Sequence, residues 1–273
     1  MRKEKIISQR KRKLFFRKLK FIFLSFAFFC LFIGFYWFIF YSPFFAISKI
    51  NIISKEGGSL IISEQEILEE IKNQNKKYTF NYFGSSQSLV FFSEKKLEEK
   101  LKANHPEIES LNIKLNLQKN QLEITYQERE EKFNLCNEES CFLIDQKGIP
   151  FLKIEKINSN LETIYLKETK EIPLGKPIIS EEHLKKLEEI ITLFKENPNL
   201  IKLDHFLLDQ KDASDFQIVA EKKMRILLNF NDDFKEIFLI LKKLKEEKFK
   251  GSFEGIDYID LRYLPKVYYK NFE

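Results

Sequence analysis

The sequence predicts an α+β protein held by a single N-terminal transmembrane helix: a small strand-helix-helix-strand-strand unit, then a mixed, mainly antiparallel β-sheet domain with two helices. Three observations carry this prediction. Residues 21–41 hold no charge, the next stretch follows that element order, and the remainder breaks into short β-prone runs interrupted by two amphipathic helices. The implied boundaries are a basic tail over 1–20, the span over 21–41, the small unit over 42–130 and the β-rich domain over 131–273.

Nine of the twenty-one residues from Phe21 to Tyr41 are Phe, and Tyr36, Trp37 and Tyr41 close the stretch. As a helix it would extend about 31 Å at about 1.5 Å per residue, matching a hydrocarbon core of about 30 Å. A cleaved signal peptide would have a shorter apolar region followed by small residues. Cys30 follows Phe28 and Phe29 rather than the small residues that precede a lipid attachment site. A retained anchor fits best.

Charge sets the expected orientation. Residues 1–20 contain ten Lys or Arg against the single acid Glu4, a balance of +9, so the rest of this +5 chain carries −4. The basic end is expected to stay in the cytoplasm and everything from Ser42 onward to lie outside it. The alkaline pI of 8.8 therefore reports a juxtamembrane block that sets topology and attracts anionic lipid, and argues against nucleic acid as a partner.

In order, Phe44 to Ile53 is β-prone, with Ile50 and Ile52 on one face and Lys49 and Asn51 on the other. Gly57-Gly58 breaks it. Ser63-Glu-Gln-Glu66 reads as a capping box opening a helix through Ile67, Leu68 and Ile71. A loop over Asn81 to Ser88 follows, and Ser93 caps a second helix carrying Leu97 and Leu101, which stops before Pro106. Two alternating runs come next: Ile108 to Leu117, with Leu111, Ile113, Leu115 and Leu117 on one face, and Gln121 to Glu128, with Leu122, Ile124 and Tyr126. Lys119-Asn120 turns between them.

Beyond Lys132 the expected strands are Phe133–Leu135, Cys141–Asp145, Ile149–Ile154, Leu161–Leu166, Leu200–Asp209, Asp215–Glu221 and Met224–Phe230. Ser180 caps a helix with Leu184, Leu187, Ile190, Ile191 and Phe194 on one face. Asp233 opens another with Phe234, Ile237, Phe238, Leu241 and Leu244, ending near Gly251. Cys136 and Cys141 flank a four-residue turn-forming spacer, so they can meet in a disulfide outside the cytoplasm. Two free thiols are the alternative, and a metal site would need further Cys or His ligands nearby.

The order of these elements, directly after one span, resembles the FtsQ/DivIB family of bacterial cell-division proteins and their POTRA domain. The residues carrying the resemblance are Phe44 to Ile52, Ser63 with Glu66-Ile67, Pro106 with Ile108, and Leu122 to Arg129. Leu143-Ile-Asp-x-x-Gly148 resembles the start of the family's second domain. Gly255-Ile-Asp-Tyr-Ile-Asp-Leu-Arg-Tyr263, followed by Pro265-Lys-Val-Tyr-Tyr-Lys270, is similar to its closing motif. Where the family commonly has prolines after the Glu-Arg pair and in the last hairpin of the POTRA unit, this chain has Glu130 and Gln118-Lys-Asn120.

The resemblance implies a bitopic, non-enzymatic scaffold of the division septum in the bacterial inner membrane. It would link early and late division proteins, help recruit or regulate septal peptidoglycan synthesis, and bind FtsB- and FtsL-like partners through its terminal region. The implied partner-binding residues are Tyr258, Ile259, Asp260, Leu261, Arg262, Tyr263, Lys266, Val267, Tyr268 and Tyr269. Their aromatic character and position at a sheet edge suit strand addition by a partner. A plainer role for the Tyr side chains is to cover that edge, and a plainer role for Asp260 and Arg262, alternating with Ile259 and Leu261, is a structural salt link.

No catalytic, cofactor or metal residues are expected. His105, His183 and His205 share no metal-binding spacing, no Gly-x-Ser-x-Gly elbow is present, and Gly57-Gly58 lacks a phosphate-loop context. Two rival classes are a POTRA-bearing transport, secretion or envelope-assembly component, which would normally continue into a β-barrel, and a membrane-anchored enzyme. The predicted protein takes no small-molecule substrate.

Overall fold

The computed structural model describes residues 2–57, 60–78, 88–90, 92–167, 171–209 and 214–272, with side chains from Arg17 onward except that of Lys222. Helix α1 (Arg2–Tyr41) runs without a break through the basic stretch into the apolar one. Within it, Arg17–Tyr41 is long and apolar enough to cross a membrane. Its Phe residues from Phe21 to Phe38 are exposed all round the helix, the pattern of a rod meant for an apolar surrounding, while Phe40 is buried. Pro43 lacks the N–H needed to extend the helix, which ends at Tyr41. The carbonyls released there find partners: Ser42 N donates to Phe38 O at 3.3 Å and Ser88 Oγ to Ile39 O at 3.0 Å.

The chain divides into two compact units. The first comprises α1, residues 42–105 and 110–127; the second comprises 106–109 and 128–273. In the first, β1 (Lys49–Ser54), α2 (Glu64–Asn75), α3 (Glu94–Asn104), β2 (Ile108–Asn116) and β3 (Gln121–Glu128) follow the predicted order. Strand β3 lies between β1 and β2 and pairs parallel with β1, setting Ile50 beside Leu122 and Ile52 beside Ile124. Ile67, Ile71, Leu97, Leu101, Leu122, Ile124 and Tyr126 are all buried, as the periodicity requires.

Ser63 and Ser93 cap their helices by accepting from Glu66 N and Lys96 N. The capping box is half realised. Instead of turning back to Ser63, the Glu66 carboxylate accepts from Asn104 Nδ2 at 2.9 Å and meets His105 Nε2 at 2.8 Å, tying the start of α2 to the end of α3. Burial pushes the Glu66 pKa up, but these hydrogen bonds and nearby positive charge outweigh it and leave it below the ordinary range. Leu117 is a second correction: β2 ends at Asn116 and Leu117 is 65% exposed in the turn. Gly58 and the expected loop short of Ser88 lie outside the described residues.

In the second unit, β4 (Phe133–Cys136), β5 (Cys141–Ile144), β6 (Pro150–Ile154), β7 (Thr163–Lys167), β8 (Leu203–Asp209), β9 (Asp215–Ala220), β10 (Arg225–Asn229), β11 (Ile256–Asp260) and β12 (Tyr268–Asn271) form one sheet. Their order across it is β12-β11-β10-β9-β8-β7-β4-β5-β6. The pairs β10/β11, β7/β8 and β4/β7 are parallel and the others antiparallel. Register places Leu135, Ile164, Phe206, Ile218 and Ile226 in one row on one face. Helices α4 (Glu181–Glu196) and α5 (Phe234–Lys243) bury Leu184, Leu187, Ile190, Phe194, Phe234, Ile237, Phe238 and Leu241 in the same core. Phe194 and Phe238 meet edge to face at 5.9 Å.

Both sheet ends are built by turns. Between β5 and β6, Asp145 Oδ1 accepts from the N–H groups of Lys147 and Ile149, each at 2.9 Å, while Oδ2 receives Arg129. Gly148 follows with φ +71°, and a Cβ there would run into the Ile179 carbonyl, so the turn requires glycine.

Candidate functional site

The segment singled out by sequence is built on β10, α5 and β11. Strand β10 feeds α5, which crosses the core face and returns the chain as β11 in parallel with β10. Ile256, Ile259 and Leu261 are buried under that helix layer. A register irregularity between Ile256 and Tyr258 accounts for the three-residue spacing of the first two. Leu261 lies beyond the end of β11 but continues the ladder, donating its N–H to Leu227 O at 3.1 Å. The expected Ile-Asp-Leu-Arg strand therefore stops at Asp260, and Arg262 and Tyr263 belong to the turn. Asp260 and Arg262 share the face away from the helices, where their alternation with Ile259 and Leu261 places them.

There they form a closed clamp. Arg262 Nε and Nη2 donate to Asp260 Oδ1 and Oδ2 at 2.9 and 2.7 Å, and the Arg262 backbone N–H adds a third bond to Oδ1 at 3.1 Å. Nη1 reaches Asp215 Oδ2 at 2.6 Å, and Asn229 Nδ2 holds the other Asp215 oxygen at 2.7 Å. Burial pushes the Asp260 carboxyl up, but the hydrogen bonds and charge of Arg262 outweigh it and hold the group below the ordinary carboxylate range. Asp260 and Asp215 in turn raise the guanidinium further above its already high value. Asp215, at the head of β9, was missed by sequence reasoning: it lies 47 residues before Arg262 with no local pattern linking them.

The aromatic residues flank this clamp. Tyr263, Tyr268 and Tyr269 are 58%, 50% and 43% exposed. Tyr263 and Tyr268 meet edge to face at 6.3 Å, while Tyr269 leans on Phe249 at 5.2 Å with Lys248 near its ring. Tyr258, half-buried on β11, lies 5.9 Å from the Arg225 guanidinium, which also pairs with Asp257 at 2.8 Å. Lys266 is exposed and Val267 packs partly on the core just before β12 begins at Tyr268. All four residues of β12 are exposed. Among the described residues β12 pairs with β11 alone, so its outer N–H and C=O groups face no other strand. Phe272, 49% exposed beside it, was not singled out by sequence and adds to the apolar surface.

The remaining candidates lie elsewhere. Cys136 and Cys141 are cross-strand neighbours and joined by a disulfide with Cα atoms 4.1 Å apart. His105 is engaged by Glu66, His205 sits beside Asp204 and against Tyr165, and His183 stacks on Phe230 at 4.0 Å. Burial lowers the His183 pKa, favouring the neutral ring. Among the described residues no group of His, Cys, Asp and Glu could hold a metal ion. Compared with known protein families and with curated proteins, the chain matches none.

Proposed function

We propose that this chain is a single-span scaffold of the bacterial division septum that holds other division proteins by accepting a partner strand on β12. The observation that carries the reading is the open edge itself: an exposed strand at the end of a nine-stranded sheet, with Tyr263, Tyr268 and Tyr269 on its borders. Main-chain pairing would supply affinity and the Tyr side chains the anchoring contacts. The order of span, POTRA-like strand-helix-helix-strand-strand unit, β-rich domain and Ile259-Asp260-Leu261-Arg262 ending resembles FtsQ/DivIB proteins and supports FtsB- and FtsL-like segments as partners. Under this reading the basic end of α1 faces the cytoplasm and both folded units face outward. The protein works through contacts and carries out no chemistry.

Depletion of the protein is expected to give filamentous or undivided cells; normal division would reject the reading, and envelope-assembly defects without a division phenotype would favour the transport alternative. At the molecular level, Tyr268→Asp is expected to weaken capture of the FtsB-like partner from membranes, and unaltered co-purification would remove β12 from the assignment.

A further inference from the structure

We propose that the end of the first unit nearest α1 is a lipid-binding surface, seated in the headgroup and outer hydrocarbon layers where the helix leaves the bilayer. The inference rests on α1 being a membrane span. The unit stands end-on to that helix. Strand β1 starts at Lys49 beside Gln121 and ends at Ser54 beside Tyr126, so its six residues carry the chain about 20 Å from its start at about 3.3 Å each. Ile61 N donates to Tyr126 Oη at the far end, and α2 then returns to the near end, where Asn75 Nδ2 donates to Ser88 O at 2.8 Å.

The near end grips the last turns of α1. Ser88 Oγ donates to Ile39 O and Tyr36 Oη to Tyr78 O, each at 3.0 Å. Tyr36 precedes the helix end by five residues, about 7.5 Å at about 1.5 Å per residue. The headgroup layer is about 5–8 Å deep on each side of the hydrocarbon core, so Tyr78 lies at bilayer depth rather than above it. Its carbonyl is satisfied by the Tyr36 hydroxyl, as non-helical backbone at that depth requires.

The side chains at this end suit that position. Phe44, Tyr78, Val90 and Leu117 are 75%, 47%, 43% and 65% exposed. Phe44 and Leu117 come from distant parts of the chain but are brought to one end: Asn120 Nδ2 donates to Phe44 O at 2.6 Å and Ser48 Oγ to Lys119 O at 2.8 Å. Lys76, Lys77 and Lys119 are exposed at the same end, whereas Glu56 and Glu64 stand at the opposite one. Apolar and aromatic side chains with lysines beside them match an acyl boundary under anionic phosphates, and the lysine stems reach up to those phosphates.

The test uses the full chain in vesicles of equal parts phosphatidylcholine and phosphatidylglycerol. A nitroxide on native Cys30, exposed in α1, reports the span. In a Cys30→Ser background, single labels replace Phe44, Tyr78, Val90, Leu117 or, at the far end, Glu56; all of these positions are on the surface, so the core is untouched. Collision with oxygen relative to a water-soluble nickel chelate is expected to be severalfold higher at the four near-end positions than at Glu56. If those four match Glu56 while Cys30 is shielded from nickel, the surface does not meet lipid and the proposal falls with the span intact. Should Cys30 be as open to nickel as Glu56, the span reading fails and takes the proposal with it.

Discussion

The nine-stranded sheet has two edges, and they are treated differently. At one, β6 opens with Pro150, which has no N–H to offer, and the loop after β7 closes over that start: Gly175 N donates to Pro150 O at 2.8 Å and Ile178 N to Gly148 O at 3.0 Å. Lys153 guards what remains exposed. At the other edge β12 has no proline and no covering loop among the described residues, and apart from Lys270 it presents two tyrosines and Asn271 to solvent. Covering an edge protects a sheet from unwanted pairing, so the uncovered aromatic edge on the same sheet is what the proposed function assigns to a chosen strand. The closed edge shows what stability alone demands; under the proposed function the open one shows what binding would add.

Breaking the closed edge should cost most. Gly148→Ala places a Cβ against the Ile179 carbonyl at a backbone angle that L residues rarely adopt, and a loss of about 3–4 kcal/mol is expected from clash and strain together. The check is chemical or thermal unfolding of the purified chain in detergent, with hydrogen exchange reporting release of β5 and β6. Next comes Arg262→Ala beside the open edge. It strands the largely buried Asp260 and leaves Asp215 with Asn229 in place of the ion pair, and should cost about 2 kcal/mol. Slower partner capture should accompany it, because the turn leading into β12 loses its clamp.

Acid sharpens the same point with a smaller effect. The folded Asp260 carboxyl titrates below its ordinary range, so the folded state takes up its proton later than the unfolded chain does. The clamp's contribution is therefore complete above the ordinary carboxylate range and is lost as pH falls through the lowered value. A pH series of unfolding midpoints should drop there less steeply in Arg262→Ala than in the parent chain. Smallest for stability is Tyr268→Asp, expected within about 0.5 kcal/mol because the side chain is exposed. If it nevertheless abolishes partner capture while Lys153→Asp at the opposite edge leaves capture unchanged, the contrast between the edges is one of function.

The elements of this fold were legible because each is announced locally. Ser63, Ser93, Ser180 and Asp233 cap their helices through side-chain acceptors, and alternation in Leu122, Ile124 and Tyr126 marks a half-buried strand. Hidden from the sequence were contacts made across long loops. Glu66 carries the local signature of a capping box but is drawn to Asn104 and His105, and Asp215 completes the Arg262 clamp without any nearby sign. The parallel alignment of β11 on β10 is likewise set by the α5 crossover, not by any periodicity within β11. Leu117 extended an apolar run past the end of its strand because the turn residues that follow it, rather than its own character, decide where β2 stops.

The placement of β11 and β12 also orders events in time. Under the proposed orientation the chain would be exported amino end first, and β12 can dock only on β11, which needs β10 already in the sheet and α5 already across its face. A partner strand would thus meet a usable template only after the preceding elements of the unit have assembled. Under the proposed function, recruitment through that template would act as an inspection step, passing over incompletely folded copies without any dedicated sensor.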